Sequence, residues 1–293
     1  MAVRKKRYRK RLLRAKHVSR SPYVSAGLYL LLFIMGIFMV LPLAFVVFTA
    51  FKPLNELFVY PPRFFVRRPT FDNFILMSQL AKDMWVPFSR YAFNSALITF
   101  GGTAAYVLIA SLAAYPLAKY NFKALKYVSV VFVWAMLFRP EVMGIPQYIV
   151  IANLKLVNTY WAVILPALAG SFGVFLMTKF MSTVPDAILE AAEIDGATEW
   201  RKLFKVVMPI VKPAWFTLII FTFQSFWNTT GLQFIYREEL KTLPTMLSQI
   251  TSGGMARAGA AAAVAMVLML PPVLIFILVQ SSVIETMSHS GIK

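Results

Sequence analysis

Five stretches of this 293-residue chain run for more than twenty residues without a charged side chain: Tyr23–Phe51, Tyr91–Ala118, Leu156–Thr178, Pro213–Tyr236 and Ala258–Ile284. A helix that crosses a bilayer needs roughly 20 predominantly apolar residues, so each run is long enough to span. A further run, Tyr127–Asn153, is apolar at both ends but interrupted by Arg139-Pro140-Glu141, and neither half is long enough alone. Counted as one span, it completes an expected all-α membrane protein with six transmembrane helices. Composition agrees: 59% of the residues are hydrophobic and 14% charged, against about 45–50% and about 25% in a soluble domain. The first run exceeds the roughly 7–15 residues of a signal-peptide core and reads as a retained anchor.

Basic residues set the orientation. With the amino terminus inside, 19 of the 30 Lys and Arg residues fall on the cytoplasmic side, most of them in the tail. Both termini are therefore expected in the cytoplasm. The chain divides into a basic tail (1–22), a first span with its outer loop (23–90), a five-helix core (91–286) containing a polar loop (184–213), and a short tail (287–293). The net charge of +18 comes largely from RKKRYRKRLLRAK, which beside six spans reads as a topogenic cluster on anionic headgroups, with no nucleic-acid partner.

The polar loop holds EAAEIDGATEWRKLFKVVMPIVKPA, Glu190 to Ala214. Pro185 suits a first helical turn, and Ile188, Ala191 and Ala192 then share a face. Gly196 can end that helix in a left-handed conformation, and Thr198 can cap a second one. In the second helix Trp200, Leu203, Phe204 and Val207 recur at i, i+3, i+4 and i+7, while Glu199, Arg201, Lys202 and Lys205 face elsewhere. Pro209 and Pro213 close it. Each large apolar side chain on that stripe contributes roughly 1.5–3 kcal/mol when fully buried. Periodicity leaves open a groove on another protein, a lipid interface, or an interfacial helix packed on the chain's own bundle. The small Ala191–Ala192 face and the acidic Glu190 and Glu193 favour a protein over anionic lipid.

The same segment resembles the cytoplasmic signature of bacterial ABC-importer permease subunits, on Glu190, Ala191, Ala192, Asp195, Gly196, Ala197, Phe204, Pro209 and Pro213; Met208 stands where that pattern has Leu. Further matches are similar to the carbohydrate-uptake branch: Pro61 to Phe74, Asn158-Thr159, Ile164-Leu165-Pro166, Phe226-Trp227-Asn228, Thr242-Leu243-Pro244 and Ser290 to Lys293. Thr229 replaces the acidic residue that often follows Asn228. The resemblance implies a type I importer transmembrane domain in a bacterial inner membrane. Its implied partners are a second permease subunit in a heterodimer, two ATPase subunits, an extracytoplasmic solute-binding protein and a carbohydrate. It implies that Glu190, Ala191, Ala192, Asp195, Gly196 and Ala197 couple to the ATPase, with Trp200, Leu203, Phe204 and Pro209 supporting the loop.

Charges inside a bilayer usually line a cavity or pair, so Arg139 and Glu141 sit either at a bundle contact or on a translocation path. Gln147, Gln224, Trp227 and Asn228 are further candidates for the path, because amides and aromatic rings bind sugars, although such side chains also join helices. The outer segment 237–257 either inserts toward a docked binding protein or serves as a mobile connector. Enzyme chemistry finds little support. His17 and His289 are the only histidines, cysteine is absent, and no phosphate-binding loop ends in Gly-Lys-Ser/Thr. No metal or cofactor is expected, and ATP hydrolysis is assigned to separate subunits. The alternative is a secondary carrier for a small polar solute without an ATPase.

Overall fold

A computed structural model describes residues 22–138 and 140–290, and these are helical with no strand among them. The long elements are α1 (Pro22–Ala50), α2 (Asp72–Lys82), α3 (Phe88–Lys119), α4 (Lys123–Ala135), α5 (Pro140–Asn153), α6 (Trp161–Leu168), α7 (Ser171–Met181), α8 (Asp186–Ile194), α9 (Glu199–Ile210), α10 (Lys212–Trp227), α11 (Leu243–Thr251) and α12 (Ala258–Ser290). The basic tail 1–21, Arg139 and residues 291–293 lie outside the described residues.

Three helices, α1, α3 and α12, are long and apolar enough to cross a membrane, and the bent pairs α6–α7 (42°) and α9–α10 (82°) bring the number to five. The six-span expectation is thus not reached by span-length helices. The chain folds Tyr127–Asn153 as two separate helices, α4 with 13 residues and α5 with 14, each below the roughly 20 a crossing needs. The break falls where the sequence inserts Arg139-Pro140-Glu141. The run Pro213–Tyr236 also ends its helix early, at Trp227.

Helix α3 is the centre of the bundle. It packs on α7 and α10, and α10 packs in turn on α12, which also meets α1 and α2. Ala110 and Ala114 on α3 are buried, and small residues at such seams let helix backbones approach closely. One continuous buried cluster joins Tyr106, Ala110, Ala114 and Tyr115 of α3 to Met177 and Met181 of α7 and Leu218 of α10. It extends through Leu189, Leu203 and Val207 into the polar loop. The loop is therefore packed as part of the core.

Polar side chains repair the places where helices stop. At the α6–α7 break the Tyr106 hydroxyl donates to the Gly170 carbonyl at 2.8 Å and accepts from the Gly173 N–H at 2.9 Å. A Cβ on Gly173 would stand 2.7 Å from the Tyr106 ring, so glycine is required by the approach. Beyond α1, the Asn73 amide donates to the carbonyls of Ala50 at 2.9 Å and Lys52 at 2.7 Å. In a bilayer each unsatisfied backbone group costs several kcal/mol, which explains why these side chains are spent on backbone. Most of the apolar length of α1 is exposed, from Leu28 to Leu43.

Candidate functional site

The polar loop folds as two short helices around a glycine turn. Pro185 precedes α8 with an extended backbone. At the far end Gly196 has φ +76°, the Gly196 N–H reaches the Glu193 carbonyl and the Ala197 N–H the Ala192 carbonyl, both at 2.9 Å. This is the paired closure of a Schellman motif, in which glycine meets the left-handed conformation at no steric cost. Thr198 then caps α9, its hydroxyl accepting from the Arg201 N–H at 3.4 Å.

Leu189 is buried, and Ala192 and Ala197 are half-buried, while Glu190, Ala191, Asp195 and Gly196 are exposed together with Ile188 and Ile194. Ile194, at 87% exposed, is an apolar side chain the sequence reading passed over. The outward face of the loop is thus small, acidic and apolar at once.

The stripe on α9 does not lie on one face. Leu203 and Val207 are buried, whereas Trp200 and Phe204 are exposed and stack on each other with ring centroids 5.8 Å apart. Residues Lys202–Val207 form a π-helical stretch, and its i→i+5 bonds widen the turn so that three-and-four spacing no longer stays on one side. Bracing of the loop falls to Leu203 and Val207. Pro209 is exposed, and the Trp215 indole N–H donates to the neighbouring Met208 carbonyl at 3.0 Å, satisfying one acceptor freed at the end of α9.

Lys202, expected to face away from the apolar stripe, is only 6% exposed. Its ammonium contacts Glu199 at 2.5 Å and Glu193 at 3.1 Å, and Glu199 also accepts from the Tyr115 hydroxyl of α3 at 3.0 Å. The hydrogen bond from Lys202 holds the Glu199 carboxyl below the usual carboxylate range, and the same bond raises the Lys202 ammonium. At the start of the loop Lys119 of α3 pairs with Asp186 at 2.7 Å and donates to the Val184 carbonyl. Reading the sequence missed this double attachment. Its trace there is the Glu199–Lys202 spacing of three residues, which places opposite charges side by side on a helix.

The path candidates separate. Arg139 lies outside the described residues, and Glu141 stands in the first turn of α5. Gln147 is half-buried on α5, and Gln224 and Asn228 are exposed at the end of α10. Trp227 is buried, lies parallel to Phe223, and donates its indole N–H to the Leu268 carbonyl of α12 at 3.0 Å. The residue four positions on is Pro272, which carries no N–H, so that carbonyl lacks its ordinary i+4 donor. Trp227 therefore ties two helices, the structural role that indoles in spans also take.

Segment 237–257 is fastened to the bundle as far as Thr251. Leu243, Met246, Leu247 and Ile250 of α11 are buried. The Asn94 amide donates to the carbonyls of Glu239 at 2.8 Å and Lys241 at 2.9 Å, and the Tyr91 hydroxyl donates to Glu238 at 2.8 Å. Burial raises the Glu238 carboxyl, but the hydrogen bonds from Lys241 and Tyr91 outweigh it and leave it below its ordinary value.

An apolar helical bundle that carries one polar loop locked to its central helix has the fold of ABC-importer permeases. A bacterial ABC transporter involved in the import of the acidic polysaccharide alginate aligns with a TM-score of 0.72 at 19% identity, covering 90% of this chain and 98% of that one. A bacterial alginate ABC transporter in complex with an alginate pentasaccharide-bound periplasmic protein aligns at 0.54 with 15% identity, over 88% and 90% of the two chains. The sulfoquinovosyl glycerol transport system permease protein SmoH of Agrobacterium fabrum is 31% identical over 268 residues, 90% of this chain and 91% of its own. No family model matches the chain. The chain belongs to the permease subunits of sugar ABC transport systems. It is the non-catalytic subunit of an importer whose ATP hydrolysis resides in separate ATPase subunits. Membership of this family displaces the ATPase-free secondary carrier.

Proposed function

We propose that this chain is one of two permease subunits of a type I importer for a sugar or oligosaccharide, paired with a different permease as a heterodimer. It crosses a bacterial inner membrane six times with both termini in the cytoplasm, α4 and α5 together making the third crossing around Arg139-Pro140-Glu141. The loop 184–213 faces the cytoplasm and docks on one of two ATPase subunits through Glu190, Ala191, Ala192, Asp195, Gly196 and Ala197. An extracytoplasmic solute-binding protein delivers the carbohydrate. Gln147, Gln224 and Asn228, with Arg139 and Glu141, are the path residues. ATP-driven closure of the motors pulls the loops together and turns the bundle from inward- to outward-open.

The observation that carries this reading is the exposed face of Ile188, Glu190, Ala191 and Ile194 on a loop whose opposite face belongs to the bundle core. Glu190 is placed to accept a charge-assisted hydrogen bond from the motor. The absence of cysteine gives a clean test. Cysteines introduced at Ile188, Ala191 or Ile194 should crosslink the ATPase subunit in native membrane vesicles, and Glu190→Ala should insert normally yet lose binding-protein-stimulated ATP hydrolysis. Crosslinks that never capture an ATPase, or full stimulation in Glu190→Ala, refute it. Screening saccharides against the purified solute-binding protein identifies the sugar.

A further inference from the structure

The two helices of the polar loop are joined to each other through Asp195-Gly196-Ala197-Thr198, all exposed except the half-buried Ala197. A glycine turn of this kind is a poor transmitter of force, because little besides its own backbone bonds holds it. Helix α8 is held at its start, where Asp186 meets Lys119 at 2.7 Å, and by the buried side chain of Leu189. Its last turn has one tether among the described residues, the contact of Glu193 with Lys202 at 3.1 Å. Lys202 in turn meets Glu199 on α9 at 2.5 Å, and Glu199 takes the Tyr115 hydroxyl of α3 at 3.0 Å. One buried ammonium therefore gathers the end of α8, the start of α9 and the end of α3.

We propose that Lys202 is the positioning residue that makes α8, α9 and the end of α3 a single rigid body, so that displacement imposed on the docking face reaches α3 without being absorbed at Gly196. This rests on the proposed docking of the loop on an ATPase. The side-chain chemistry fits the task. An ammonium has three donors and no acceptor, so it can hold two carboxylates at once without competing for the Tyr115 hydroxyl. Both carboxylates are partly solvated, with Glu193 and Glu199 side chains 71% and 51% exposed. Their own desolvation cost is small, so the cost the two contacts must offset is chiefly that of the buried Lys202 ammonium. The Lys119 attachment holds the other end of α8, so the helix is pinned at both ends and Gly196 is bypassed.

The test uses the assembled importer with spin labels at cysteines replacing Ile194, in the last turn of α8, and Asn121, just beyond α3; because Ile194 lies on the docking face, the labelled parent is first shown to keep its stimulated ATP hydrolysis. The probe is ATP with vanadate, which needs no knowledge of the sugar. In the parent chain the Ile194–Asn121 distance should be single and unchanged between the nucleotide-free and vanadate-trapped states. In Lys202→Met, which keeps the apolar stem, and in Glu193→Gln, which alters only an exposed carboxylate, vanadate trapping should shift or split that distance. Lys202→Arg should restore the parent behaviour. Should Lys202→Met fail to assemble, Glu193→Gln gives the same reading on its own. A parent distance that changes with nucleotide overturns the rigid body, and variants that track the parent overturn the role of Lys202. If the unmodified chain captures no ATPase subunit, the docking reading itself fails and takes this inference with it.

Discussion

Replacing Trp227 by Phe isolates one hydrogen bond that the fold needs because of a proline elsewhere. Phe keeps an aromatic ring beside Phe223 and loses the indole N–H that reaches the Leu268 carbonyl at 3.0 Å, together with the volume of the second ring, a loss common to both backgrounds compared below. That carbonyl is deprived of its helical donor by Pro272. Leaving a buried acceptor unsatisfied costs about 1–3 kcal/mol, and at membrane depth no water can make up the loss. Tryptophan 227 thus matters in proportion to the absence of an N–H at position 272. In the Pro272→Ala background the alanine supplies that N–H, and Trp227→Phe should cost distinctly less. The double-mutant cycle should therefore give a coupling of about 1 kcal/mol or more, within the range found for groups sharing one network. Equilibrium unfolding in mixed detergent and SDS micelles, followed by circular dichroism, measures it. An equal cost of Trp227→Phe in both backgrounds would show that the bond is not compensating for the proline.

Three other outcomes follow from separate places in the molecule. Tyr106→Phe strips both the Gly173 N–H and the Gly170 carbonyl of their partner, so it should destabilise the bundle by about 1–3 kcal/mol per stranded group in the same unfolding assay. Gly196 has open space around its Cβ direction but φ +76°; Gly196→Val should bear about 1–3 kcal/mol of backbone strain and lose stimulated ATP hydrolysis, whereas Gly196→Asn, tolerant of that conformation, should retain it. Burial would raise the Glu238 carboxyl, but the hydrogen bonds from Lys241 and Tyr91 hold it below its ordinary value, so the stability they contribute is complete above the ordinary carboxylate range and is lost as the pH falls through the lowered one. Thermal unfolding should weaken through that acid window in the parent, and Glu238→Gln should abolish that part of the pH dependence.

The large features were readable because they rest on long averages. Charge-free runs marked α1, α3 and α12, and the Gly196 turn with its Thr198 cap could be placed from residue chemistry alone. What escaped the sequence depends on helix geometry finer than a period of 3.6. Across the π-helical stretch at Lys202–Val207 the buried side chains are Lys202, Leu203 and Val207, with Phe204 outside, and no pattern of apolar spacing announces a widened turn. The ties of Tyr115 to Glu199 and of Lys119 to Asp186 join residues 84 and 67 positions apart. Their pairing is a product of α3 packing beside the loop, and only three-dimensional structure reveals it. For Trp227 the sequence left open a place on the path or a tie between helices; the missing N–H of Pro272, 45 residues away in the chain, accounts for the tie to Leu268.

The 82° corner between α9 and α10 sets what kind of motion can leave the loop. Two arms at nearly a right angle cannot pass a thrust along one axis into the other; they behave as a crank, turning a sideways shove on the short arm into tilt of the long one. The 16 residues of α10 make a lever of about 24 Å at 1.5 Å per residue, so each degree of tilt carries its far end, with Gln224 and Asn228, through about 0.4 Å. A few degrees at the corner are enough to widen or pinch the space beside those amides by the radius of an atom.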